Sequence, residues 1–277
     1  MTTHAFVQDA AFWLGYLTNG KHLAWYASVQ YTFIAGILGA IIALALGLFA
    51  GTSRSLGPLA ARLFAAGYIN IVRGVPDVLF FLFFPLAFET GVEWIAAFSA
   101  CSADQLTTSA GQWPPCPAAN WHLSTAEYLV LASVSLGIVY GAFAASVISG
   151  ALNAVPEGQL DAARSLGMTP RQVLRHVHLR QMWIYALPGL SNCWMTLLKA
   201  TSLLSLLQIL DIVALAKRLG AANFSQVAGL VHGDWRWSYF LALLLFYVGL
   251  TFVSERVFAT ISRWVGRGMT TPLKGQS

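Results

Sequence analysis

Charge is scarce in this sequence. Of its 277 residues, 10% are Asp, Glu, Lys or Arg and 57% are hydrophobic, and the mean hydropathy is +0.64. A soluble domain carries about 25% charge, so most of this chain avoids water. No Gly-rich phosphate loop ending in Lys is present, which argues against a P-loop ATPase. Titratable groups do not cluster in or beside the apolar runs, as a membrane-embedded enzyme would need. No internal repeat relates one half to the other, as a secondary carrier would typically show. The apolar runs do not alternate with polar residues, which argues against a membrane β-barrel. The N-terminus lacks the basic start of a cleavable signal, and Asp9 precedes the short apolar stretch Ala10 to Leu17. The net charge of +5 is dispersed in segments between apolar runs, a pattern of membrane topology rather than of nucleic-acid binding.

What is present are long windows without charge. None occurs between Lys21 and Arg54, between Glu127 and Glu157, or between Arg236 and Glu255. Each window holds the roughly 20 residues that cross about 30 Å of hydrocarbon. Two more are interrupted: Leu59 to Phe88 carries Arg73 and Asp77 in its middle, and Trp183 to Ile212 carries Lys199 before Asp211 at its end. The sequence therefore predicts an all-α membrane protein with five spans, at residues 26–50, 59–88 (bent or broken), 127–151, 185–211 and 237–257.

Lys and Arg set the orientation. Segments 51–62, 156–182 and 255–277 carry ten: Arg54 and Arg62; Arg164, Arg171, Arg175 and Arg180; Arg256, Arg263, Arg267 and Lys274. The opposite side has four, Lys21, Lys217, Arg218 and Arg236. By the positive-inside rule the first set is cytoplasmic, which places the N-terminus outside and the C-terminus inside. The organisation read from this is an external segment 1–25, expected as a short helix on the membrane surface, a membrane domain 26–265 and a cytoplasmic tail 266–277. The external loop, 89–126, contains Cys101, Cys116 and the helix-breaking Trp113–Pro114–Pro115–Cys116–Pro117. An external face permits a disulfide between the two cysteines; the alternative is two reduced packing residues. Cys193 lies within a span as a small packing side chain.

The cytoplasmic segment 155–184 has the most defined local grammar. Pro156 suits a first helical position, and Glu157 and Asp161 favour a helix start. Leu160, Ala163 and Leu166 recur on one face, and Gly167 ends the helix as a residue that tolerates positive φ. Thr169, Pro170 and Gln172 then form a capping box for a second helix. Ala162 and Ala163 are small enough for close approach by another surface, and Arg171, Arg175 and His178 form a basic stripe. One reading is an amphipathic connector on the membrane surface; the rigid capped turn favours a docking element.

The run DAARSLG at 161–167, followed by a helix and a Leu–Pro, resembles the coupling loop of ATP-binding-cassette importer permeases. RGVPD at 73–77, YGAFAASVISGALNAVPEGQ at 140–159, YALPGLSN at 185–192 and LLKATSLLSLL at 197–207 are similar to the polar-amino-acid branch, above all to the Q-type permeases of histidine, lysine–arginine–ornithine and opine importers. The likeness covers roughly 26–265 and departs from the motif at Asp161, where the family has Glu; residues 1–25 and 98–121 look longer than usual.

The resemblance implies a permease subunit that takes up a polar, basic L-amino acid by alternating access, without enzymatic activity of its own. It implies two ATP-binding subunits carrying ATP and Mg, a second permease chain, identical or sibling, a periplasmic binding protein, and a place in the bacterial inner membrane. Glu157, Gly158, Asp161, Ala162, Ala163 and Gly167 would then couple to the ATPase. For the substrate path the candidates are Arg73, Asp77, Lys199, Thr201, Ser202 and Asp211, because charge at mid-span is expensive and faces a cavity or a partner. The charged candidates have structural alternatives: an internal ion pair for Lys199, a local Arg73–Asp77 bridge, and a helix-end cap or surface charge for Asp211. The rival function is a secondary transporter or channel working without an ATPase.

Overall fold

A computed structural model describes residues 11–102, 104–105, 113–121, 123–207, 209–222 and 233–267. The described residues are mostly helical, with no strand among them. The helices are α1 (Gly20–Ala27), α2 (Val29–Leu56), α3 (Leu59–Gly74), α4 (Asp77–Ala100), α5 (Thr125–Asn153), α6 (Glu157–Ser165), α7 (Leu179–Ala200), α8 (Ile212–Leu219) and α9 (Arg236–Val265). A π-helical turn, Val173–His178, leads into α7, and a 3-10 helix, Thr201–Leu207, follows it.

Four helices are long and apolar enough to cross a membrane: Gly20–Leu56 (α1 running into α2), α4, α5 and α9. The stretch Pro170–Leu207 and α8, bent by 59° between them, make a fifth if the pair is counted as one span. Four to five candidate spans are thus present where five were expected, with shifted bounds. The interrupted span read at 59–88 separates at Val75–Pro76 into α3 and α4, and α4 continues to Ala100. Pro76 cannot donate an amide and pushes Val75 into extended backbone (ψ 135°), which ends α3.

α5 is the centre of the bundle. Of its most apolar window 72% is buried, against 11% for α9, which lies at the periphery. Lipid tails are as apolar as leucine, so membrane helices associate through close van der Waals contact between small residues. α2 supplies one every fourth position: Gly39, Ala43, Gly47 and Gly51 are all buried. They meet Gly137, Gly141, Ala144 and Ala145 of α5; a Cβ at Gly47 would stand 2.7 Å from the Ala144 Cβ. α3 adds Ala65 and Ile69 against Ala50 and Ala145.

The helix ends at the Ala100 and Thr125 end of the bundle are tied by polar contacts. Ser124 and Glu127 form a capping box that starts α5. Glu93, buried near the end of α4, accepts from the Trp113 indole (3.0 Å) and the Trp121 amide (3.3 Å). Cys101 and Cys116 are joined in a disulfide. The N-terminal part packs on α8 and α9: the Trp25 indole donates to Ile212 O (2.9 Å), and buried His22 Nε2 lies 2.7 Å from the Tyr239 hydroxyl.

Candidate translocation and coupling sites

The segment after α5 is built as its residues dictate, with one adjustment. Pro156 is the N-cap of α6 rather than its first helical residue (ψ 130°), and Glu157 opens the helix. Gly167 has φ +80°. Its amide donates to Arg164 O (2.9 Å) and the Met168 amide to Ala163 O (3.3 Å), the paired bonds of a Schellman turn. Thr169 and Gln172 form a reciprocal capping box. The chain thus reverses through two locked helix ends within a few residues. Glu157, Gly158, Asp161 and Ala162 are exposed, while Ala163 is turned into the protein's own core. Leu166, expected on the buried face, is 84% exposed. It is the C-cap of α6, where the chain has already left the helix, and helical periodicity does not hold past that point.

The basic stripe is divided. Arg171 and Arg175 are exposed, but His178 turns inward, its Nε2 lying 2.9 Å from Leu152 O. Bonding from i to i+5 in the π turn widens the helix there, so residues spaced for an α-helix no longer share a face.

At the break between α3 and α4, Arg73 and Asp77 do not pair with each other. Arg73 donates to Ser146 Oγ (3.0 Å), with its guanidinium 5.2 Å from the Phe143 ring centre. Asp77 accepts from the Tyr140 hydroxyl (3.1 Å). Both charges are therefore held by α5, one on each side of the break, and neither is neutralised by the other. Tyr140, Phe143 and Ser146 belong to this site and were not singled out from sequence. Their shared signal is the YGAFAAS run at 140–146, which read only as resemblance.

Along the other interrupted span the candidates divide into two groups. Lys199 is exposed on the chain and has no ion pair among the described residues. Ser202 Oγ donates to Lys199 O (2.8 Å). Thr201 is fully buried and donates to Leu198 O (2.6 Å). Asp211 is also fully buried and caps α8, its Oδ1 accepting from the Ala214 amide (2.9 Å). The candidates thus form an open set (Arg73, Asp77, Lys199, Ser202) and an enclosed pair (Thr201, Asp211).

A bundle of long apolar helices, two of them broken, with one rigid, exposed reversal is the architecture of a multi-span membrane protein. The chain belongs to the family of binding-protein-dependent transport system inner membrane components, whose model matches residues 43–267. It is 29% identical over 207 residues to the histidine/lysine/arginine/ornithine transport system permease protein HisQ of Escherichia coli (strain K12), covering 73% of this chain and 82% of that protein. It is 31% identical over 208 residues to the nopaline transport system permease protein NocQ of Agrobacterium fabrum (strain C58 / ATCC 33970), covering 75% and 76%. In fold it is similar to a crystal structure of an amino acid ABC transporter with histidines (TM-score 0.58, 18% identity, 95% of this chain and 98% of that one). An inward-facing MetNI methionine ABC transporter gives a TM-score of 0.54 at 18% identity, over 88% and 94%. The chain is accordingly a multi-pass inner-membrane component of a transport system, of the amino-acid ABC importer kind.

Proposed function

We propose that this chain forms part of the path for a polar, basic L-amino acid, delivered by a periplasmic binding protein and driven by ATP hydrolysis in a separate pair of subunits that hold ATP and Mg. The observation that carries this reading is the reversal at Gly167. A doubly capped turn that exposes Leu166, Ala162 and Asp161 suits a rigid lever seated in another protein. A lever is useful where force arrives from outside the chain. The substrates named for the relatives, among them histidine, lysine, arginine and ornithine, support a basic amino acid. So does Asp77, a carboxylate at a helix break, where freed backbone groups and charge line transport paths.

In this reading Glu157, Gly158, Asp161 and Ala162 meet the ATPase, while buried Ala163 and the Gly167 turn hold them in place for that contact. Arg73, Asp77, Lys199 and Ser202 line the substrate path, and Thr201 and Asp211 hold the hinge beside it. Lys199, exposed and without an ion pair among the described residues, meets either the substrate carboxylate or the second permease chain. The N-terminus lies in the periplasm and the C-terminus in the cytoplasm.

The test is reconstitution in vesicles with the ATPase and binding protein supplied by the same transport system. Uptake of labelled arginine or histidine is expected to require ATP inside and binding protein outside. Uptake driven by an ion gradient, indifferent to ATP, would establish a secondary carrier instead.

A further inference from the structure

α8 has two unlike faces. Ile212, Ala216 and Leu219 are buried against Tyr239 and Leu243 of α9. The opposite face lines a groove of about 800 Å³, whose other wall is the 3-10 helix and the turn after it. One end of the groove is apolar, with Leu206, Leu210 and Val213; the two leucines are exposed. The other end is basic, with Lys217, Arg218 and Arg236. We propose that this groove seats one anionic phospholipid, its phosphate on the three cations and the start of an acyl chain on the apolar end.

The helix spaces the two ends. Lys217 follows Val213 by one turn, roughly 6 Å along α8. Arg236 joins the basic end because α9 starts against the end of α8. The Trp235 amide donates to Gly220 O (2.8 Å), and a Cβ on Gly220 would stand 2.5 Å from Arg236 Cα. Asp234 pairs with Arg236 (3.1 Å), whereas Lys217 and Arg218 have no ion pair among the described residues. The basic end is left with excess positive charge. Its depth suits a lipid. Trp235 and Trp237 flank Arg236 in sequence and line a neighbouring concavity with Trp13 and Trp25. Tryptophans gather at the headgroup level of a bilayer, which sets the basic end level with lipid phosphates. The apolar end continues the stretch Pro170–Leu207 and so lies toward the hydrocarbon. In the proposed orientation this side of the membrane has four Lys and Arg, and three of them line the groove. Positive charge there opposes the topology signal, so its concentration at one groove has another cause, which an anion supplies. A soluble anion would leave the leucines uncovered, and a zwitterionic lipid brings an ammonium that the cations repel. Basic pockets between membrane helices bind anionic headgroups in this way.

The test is photolabelling of the complete purified transporter in phosphatidylcholine nanodiscs. The probe is phosphatidylglycerol with a diazirine near the glycerol end of one acyl chain, and mass spectrometry maps the labelled residues. Label is expected on Leu206, Leu210 or Val213, displaced by unlabelled phosphatidylglycerol and not by added phosphatidylcholine. Lys217→Gln combined with Arg218→Gln should cut that label roughly thirtyfold, about fivefold for each cation. Both side chains are exposed, so the variant should assemble normally. Arg263→Gln combined with Arg267→Gln, around the far end of α9, should leave the label unchanged. Equal loss in the two double variants would mean bulk attraction of anionic lipid and would overturn the site. Displacement by water-soluble glycerol phosphate would make it a free-anion site and overturn the lipid. Absence of label from these three residues would mean that a protein partner covers the groove, and overturns the proposal as well.

Discussion

Replacing Gly167 separates backbone conformation from side-chain contact unusually cleanly. A Cβ built on Gly167 meets nothing within 4 Å, so substitution causes no clash inside the chain. Its φ of +80° lies in the left-handed region, however, where a Cβ costs about 1–2 kcal/mol. A β-branched residue is a stronger outlier there than alanine, whereas asparagine tolerates the conformation. If the chain relaxes to negative φ, the bonds from Gly167 N to Arg164 O and from Met168 N to Ala163 O are lost, and the helix capped by Thr169 leaves in another direction. A cost of about 1–2 kcal/mol shifts the population of the native turn by roughly 5- to 30-fold. The series Gly, Asn, Ala, Val should therefore lose ATP-driven uptake in that order, with Asn near wild type and Val down about tenfold or more. Stimulation of ATPase activity by loaded binding protein should fall in parallel. Membrane insertion and the melting of the bundle should not change, because Gly167 is exposed beyond its core. Wild-type transport by Gly167→Val would refute the argument. So would an asparagine variant as impaired as the valine, since that would implicate the missing side chain rather than the turn.

Three further expectations follow from the packing and the charges. Gly47→Val places carbon 2.7 Å from the Ala144 Cβ, where contact is optimal near 3.5–4.0 Å, so α2 and α5 must part; overpacking of about 1–3 kcal/mol or more should lower yield and melting temperature, while Gly249→Val, with nothing within 4 Å, should leave both unchanged. Lys199→Met should reduce uptake roughly ten- to a hundredfold if the ammonium holds the substrate carboxylate, without lowering the melting temperature of the complex; uptake at the wild-type level would remove Lys199 from the path. In an otherwise Cys-free chain, an impermeant thiol reagent applied to spheroplasts should label a cysteine at Gln105 and spare one at Gln172; the opposite pattern would invert the orientation.

The spans were legible because apolar length in a membrane is a one-dimensional signal, and the coupling turn because caps and glycine turns are local chemistry. Pro156, Gly167, Thr169 and Gln172 lie within a short stretch and need no distant partner. What escaped the sequence depends on partners far along the chain. The apolar window read from the sequence ends at 88, just before Glu89. Instead Glu89 accepts from the Tyr128 hydroxyl (2.6 Å) and Glu93 from Trp113 and Trp121, so the helix carries both acids to Ala100. The choice for Arg73 and Asp77 between pairing locally and facing a path turned on Tyr140 and Ser146, more than sixty residues away. Thr201 and Ser202 are adjacent and chemically alike, yet one is enclosed and the other is not, because a 3-10 helix turns them in different directions.

The bridge between Cys101 and Cys116 makes the molecule a recorder of its own biogenesis. Thiols in the cytosol are kept reduced, and those that reach the periplasm are oxidised. In the proposed orientation the bond closes only in a chain whose Cys101 and Cys116 have crossed the membrane, and α4 and α5, which flank them, are committed to opposite directions of travel by the same event. A chain inserted the wrong way round keeps all three thiols, whereas a correctly threaded one keeps Cys193 alone. The ratio of singly to triply alkylated protein therefore counts correctly threaded molecules in a growing cell, and each molecule keeps that covalent record for as long as it exists.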